Sequence, residues 1–115
     1  MNRLVALSFV VLGCTANAAP PDSCETIARN GTCQEYPSGR TLAEEQAQCR
    51  AIGGTFAAAT SCTATNRVGR CTATTGGVVT VGAFYSPMYT TATASTSCSS
   101  VPTMHPDVTT SFQAN

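Results

Sequence analysis

Lysine and tryptophan are absent from this chain, histidine occurs once, and charged residues make up only 10% of the 115 positions. The six basic residues, Arg3, Arg29, Arg40, Arg50, Arg67 and Arg70, are scattered, and formal net charge is zero. A nucleic-acid footprint needs clustered basic side chains, so that class of partner is excluded. The chain has too few aromatic residues for a large aromatic core. It also lacks a C-x-x-C pair, and its one histidine, His105, falls near the C-terminal end. Structural zinc sites favour closely spaced ligand pairs, so neither a metal nor another cofactor is expected. Threonine, serine, alanine and glycine dominate instead, together with seven cysteines.

The N-terminal residues carry an export pattern. Met1 to Arg3 is short and positively charged, and Leu4 to Leu12 is apolar apart from Ser8. This run is about half the ~20 residues needed to cross a bilayer and has the length of a signal-peptide core. Two processing sites compete. Ala16-Asn17-Ala18 is a small-x-small site, giving a signal peptide over residues 1–18 and a chain that starts at Ala19. Val11-Leu12-Gly13-Cys14 is similar to the lipobox of bacterial lipoproteins, which would end the leader at Gly13 and place lipid on Cys14. Lipid there would be the chain's only attachment to a membrane. Residues 19–23 read as a linker, 24–98 as a disulfide-rich domain and 99–115 as a flexible tail, because the last stretch holds two prolines and no periodicity.

The domain's six cysteines, Cys24, Cys33, Cys49, Cys62, Cys71 and Cys98, suggest a duplication. Cys24 to Cys33 and Cys62 to Cys71 both read C-x4-R-x-G-x-C, with Arg29 matching Arg67 and Gly31 matching Gly69. Cys49 and Cys98 each follow a threonine, Thr41 and Thr90, at the same distance. The expected fold is therefore α+β: a small disulfide-rich domain of two hairpin-plus-helix units, repeats 24–61 and 62–98, packed against each other. In the first unit, Asn30-Gly31 predicts a tight hairpin turn. Thr41 and Glu44 have capping-box spacing at the start of a helix over Leu42 to Ile52. Leu42, Cys49 and Ile52 share one face of that helix, and Gly53-Gly54 ends it. Thr55-Phe56 reads as a return strand. In the second unit, Gly76-Gly77 is a turn before a strand over Val78 to Tyr85. Thr91 to Ser97 is helical only by analogy with the first unit.

Six cysteines allow fifteen pairings, and sequence does not choose among them. If the units behave alike, the expected set is Cys33–Cys49 and Cys71–Cys98 within units, with Cys24–Cys62 between them.

Little in the chain points to catalysis. The acids are Asp22, Glu25, Glu35, Glu44, Glu45 and Asp107. Glu44 has a capping role, and Glu35 reads as an exposed strand carboxylate. The serines have no convincing histidine partner. Arg29 and Arg67 read as solvated turn residues or partners of nearby carbonyls. Phe84, Tyr85 and Tyr89 form the densest aromatic group and are the candidate binding patch, although Phe84 is also a natural core residue. Asn30-Gly31-Thr32 has the form of a glycosylation acceptor.

Cys33-Gln34-Glu35-Tyr36, the run from Cys49 to Phe56, and Asn66 to Cys71 together resemble small cysteine-rich exported bacterial proteins, lipoproteins among them, of unknown function. The resemblance covers Cys24 to Cys98 and implies a compartment and a fold but no catalytic residues. The pattern departs after Cys98, where a second Gly-Gly and aromatic would be expected. The sequence thus predicts a non-catalytic secreted or lipid-anchored envelope protein, a binding or structural module for a protein or surface partner it does not identify. The alternative is an inhibitor of an extracellular enzyme acting through Gly82 to Thr91.

Overall fold

The computed structural model describes residues 19–115. Cys14 and both processing sites lie outside the described residues. Within them the chain is a small mixed α/β domain with a six-stranded antiparallel sheet, three helices and three disulfides. In chain order the elements are β1 (Asp22–Thr26), α1 (Ile27–Asn30), β2 (Thr32–Ser38), α2 (Leu42–Ala51), β3 (Thr55–Ala57), β4 (Arg67–Thr75), β5 (Val78–Tyr85), α3 (Thr91–Met104) and β6 (Thr109–Ala114). The spatial order of strands is β3-β1-β2-β5-β4-β6.

Local chemistry explains most of the boundaries. Gly76 and Gly77 take φ of 51° and 82°, the left-handed pair that a two-residue hairpin requires, and they connect the paired residues Thr75 and Val78. The predicted capping box is present. The Thr41 hydroxyl accepts from the Glu44 amide at 3.2 Å, and the Glu44 carboxylate accepts from the Thr41 amide at 2.8 Å. Thr90 and Thr93 repeat the arrangement at the start of α3, with a hydroxyl in place of the carboxylate. The cap thus starts a helix whose Thr- and Ser-rich residues favour it weakly.

Both long helices lie on one face of the sheet. Residue pairing places Phe56, Cys24, Gln34, Gly82, Cys71 and Phe112 in one lateral row across all six strands. From that face Cys24 bonds to Cys49 of α2, and Cys71 bonds to Cys98 of α3. α2 packs over β3, while α3 packs over β4 and β6. The opposite face is covered at its centre by the connection between β3 and β4, where Cys62 bonds to Cys33. The core is correspondingly small. Its buried hydrophobic residues are the six half-cystines with Tyr36, Ala83, Tyr85 and Ala94.

Four expectations are corrected. The observed pairing is Cys24–Cys49, Cys33–Cys62 and Cys71–Cys98, so only the last agrees with the predicted set. Cys24 and Cys33 face opposite sides of the sheet on neighbouring strands, and the helix lies on the Cys24 side. The Asn30-Gly31 hairpin is not a tight turn, because α1 fills the connection as a single helical turn. Residues 99–115 are not a loose tail. Ser99 to Met104 continue α3, with Pro102 in its last turns, and Thr109 to Ala114 form β6 beside β4. β-branched and aromatic residues favour a strand there. Phe112 closes against Gly69, where any Cβ would meet the Phe112 ring. Leu42, grouped with Cys49 and Ile52 on one helix face, is exposed, whereas Cys49 is buried.

The bond network gives a direct test. The chain has no lysine or arginine after Arg70, so trypsin releases residues 71–115 as one piece. A non-reducing digest should contain residues 30–40 joined to 51–67, a Cys24 peptide joined to 41–50, and an internally closed 71–115. Recovery of 30–40 joined to 41–50 would restore the pairing expected from sequence.

Candidate functional site

The candidate aromatic patch divides between the two faces. β5 alternates, so Ala83 and Tyr85 face the connection between β3 and β4, while Gly82 and Phe84 face the helices. Tyr85 is only 1% exposed, and its hydroxyl donates to the Thr63 carbonyl at 2.6 Å. It is a core residue and leaves the patch. Phe84 and Tyr89 stay together on the helix face, half-buried, with ring centroids 4.8 Å apart and edge-to-face. Gly82 to Thr91 does not form one protruding loop. Its first four residues belong to β5, and the Tyr89 amide donates back to the Tyr85 carbonyl at 3.0 Å.

Between α2 and α3 the helix face of β2 and β5 forms an open strip. A side chain added at Gly82 would meet nothing within 4 Å. At one end of the strip Arg40 lies over the Tyr36 ring, 5.6 Å from its centroid, and donates to the Thr80 hydroxyl at 2.6 Å. Phe84 and Tyr89 stand at the other end. On the opposite face, a cleft of about 240 Å³ is lined by Ser23, Glu25, Thr60, Ser61 and the Cys33–Cys62 bond. The lining supplies hydroxyls and one carboxylate but no histidine or arginine.

The other polar residues singled out from the sequence serve the fold. Glu35 is buried, not exposed as expected, and its carboxylate accepts from the Cys62 amide at 2.8 Å. Arg29 donates to the Gly53 carbonyl at 3.4 Å, and Arg67 donates to the Asn115 side chain at 2.8 Å. The two arginines have different surroundings. His105 is exposed at the C-cap of α3. Among the described residues no group of three or more His, Cys, Asp or Glu side chains could hold a metal ion.

Sequence reasoning missed a pair of acids. Asp22 at the start of β1 lies against Glu45 of α2. The Asp22 carboxylate accepts from the Ala59 amide at 2.6 Å. Glu45 is 6% exposed, and its Oε1 is buried without a hydrogen-bond partner. Burial, then the hydrogen bond to Asp22 and its charge, push the Glu45 carboxyl up to about 7, with Arg40 opposing. The Ala59 amide, followed by Glu45, holds Asp22 below its ordinary value. Of the two acids, Asp22 is therefore the one that ionises first, and Glu45 keeps its proton to a higher pH. One signal for the pair was present in the sequence: Glu45 is one helical turn before Cys49 and so shares its inward face.

Comparison of the chain with protein-family models, curated proteins and solved structures finds no match.

Two measurements follow. A carboxyl raised from 4.5 to about 7 contributes stability that is complete below the lower value and lost as pH rises through the upper one. Asp22 acts in the opposite sense, its contribution being lost only as pH falls below the ordinary carboxylate range. The melting temperature should therefore fall between about pH 5 and pH 8, and Glu45→Gln should flatten that fall. An unchanged slope in the variant would assign the effect elsewhere. Tyr85→Phe should cost about 1 kcal/mol by leaving the Thr63 carbonyl without its donor, whereas Tyr89→Phe should cost almost nothing in a denaturant melt.

Proposed function

We propose that this chain is an exported, non-catalytic binding or structural module, made of two copies of one strand–strand–helix–strand unit. The observation that carries the reading is the structural use of most of its charged side chains. Glu35 and Asp22 hold backbone amides, Glu44 caps a helix, and Arg29, Arg40, Arg67 and Arg70 each hold a partner within the domain. An enzyme site needs such groups free and convergent on one cleft. Three disulfides fit an oxidising compartment outside the cytoplasm. No helix among the described residues is long and apolar enough to cross a membrane. Export by the N-terminal leader, with lipid on Cys14 or a new terminus at Ala19, completes the reading.

The two-copy reading rests on topology, in a register different from that of the C-x4-R-x-G-x-C match. β1-β2-α2-β3 and β4-β5-α3-β6 each place the third strand beside the first and bond the helix to the first strand. Cys24 then corresponds to Cys71, Cys49 to Cys98, Thr41 to Thr90 and Phe56 to Phe112. Cys62 belongs to the connection between copies. The aromatic residue that the sequence lacked shortly after Cys98 is Phe112, delayed by the longer α3. Phe84 and Tyr89 are the half-buried aromatic pair available to a partner.

Intact mass of the exported protein from its native host, before and after reduction, tests the reading. The expected species carries lipid on Cys14 or begins at Ala19, and gains six hydrogens on reduction of its three disulfides. A full-length reduced chain retained in the cytoplasm would overturn export. Turnover of a target by substoichiometric oxidised protein would overturn the non-catalytic assignment.

A further inference from the structure

β6 closes one edge of the sheet, and its outer side, unpaired among the described residues, has a definite composition. The Asn115 amide donates to the Val68 carbonyl at 3.2 Å, which fixes the alternation along the strand. Backbone groups of Thr109, Ser111 and Gln113 turn toward β4, and those of Thr110, Phe112 and Ala114 turn outward. The outward row is three amides and three carbonyls on consecutive alternate residues. Edge strands are ordinarily blunted by charge, proline, a bulge or shortness. β6 has no charged residue, no proline and an unbroken register with β4. The opposite edge, β3, is only three residues long.

We infer that the β6 edge is a self-association site, occupied by β6 of a second copy running antiparallel about a two-fold axis at Phe112. In that register Phe112 faces its own mate, and Thr110 faces Ala114 of the copy. The outward groups of both strands pair with one another, as an isologous interface requires. Electrostatics favour a copy as the occupant, because an uncharged strand paired with itself sets no like charges opposite each other. α3 packs over β6, so the copy also brings two α3 helices alongside each other. The contact is small, which points to a weak, concentration-dependent dimer in place of an obligate one.

Sedimentation velocity of the oxidised protein, from ~5 μM to ~500 μM, should show a concentration-dependent shift from monomer to dimer. Thr110→Pro removes an outward amide that β4 does not use, so it should abolish the dimer while leaving the melting temperature nearly unchanged. Ser111→Pro removes an amide bonded to β4 and should destabilise the fold. Hydrogen exchange provides a second reading on the unmodified chain: the amides of Thr110, Phe112 and Ala114 should gain protection only at high concentration. A monomer throughout the range overturns the inference. So does a dimer that survives Thr110→Pro with those three amides unprotected, or protection that appears only when a different extended peptide is added.

Discussion

Each long helix docks through a single sulfur bridge, and the remainder of the architecture depends on that economy. A helix of a larger domain presents a stripe of leucine and isoleucine to its sheet. α2 buries only Glu45 and Cys49, and α3 only Ala94 and Cys98. Neither helix would stay on the sheet by apolar burial alone. The bridges close segments of 25, 29 and 27 residues. Each such closure restricts the unfolded chain by about 3.5 kcal/mol in the loop-entropy view. The stability of a small domain is of similar size to the sum. A sequence rich in threonine, serine and alanine can fold in this way because covalent bonds do what large side chains do elsewhere.

The buried acid pair follows from the same scarcity. With few apolar residues available, a glutamate occupies an inward position of α2, and the cost of burying its charge shows as a carboxyl that holds its proton to a higher pH than usual. Asp22 retains its charge because it has a backbone amide to accept from. The two acids titrate apart because burial raises Glu45 first of all, whereas the Ala59 amide lowers Asp22.

Legibility in the sequence followed the range of the interactions. Features set by a few adjacent residues were readable: the Thr41–Glu44 cap, the Gly53-Gly54 stop, the Gly76-Gly77 hairpin and the strand after it. Features set by which face of a strand a residue occupies were not. Cys24 and Cys33 are interchangeable in a spacing argument, yet they point to opposite sides of the sheet, and that exchanged two of the three bonds. Tyr85 and Phe84 are neighbours with opposite surroundings for the same reason. The C-terminal strand was missed because its partner, β4, lies across an intervening hairpin and helix, and because Pro102 and Pro106 suggested a break. The matched arginines illustrate the converse hazard. Arg29 and Arg67 align in spacing, but the strands before and after them do not correspond.

The bond pattern also divides the chain in a way that the sheet conceals. Cys24–Cys49 and Cys33–Cys62 interlock, whereas Cys71–Cys98 stands alone, and no bridge spans residues 63 to 70. That interval contains Arg67 and Arg70, so a single backbone cut there yields two separate covalent molecules, joined non-covalently by the ladder between β2 and β5, by the packing of Tyr85 against Cys33 and Cys62, and by the Tyr85–Thr63 and Arg40–Thr80 hydrogen bonds. The continuous sheet is in this sense a non-covalent heterodimer whose two halves share one stretch of backbone and no disulfide.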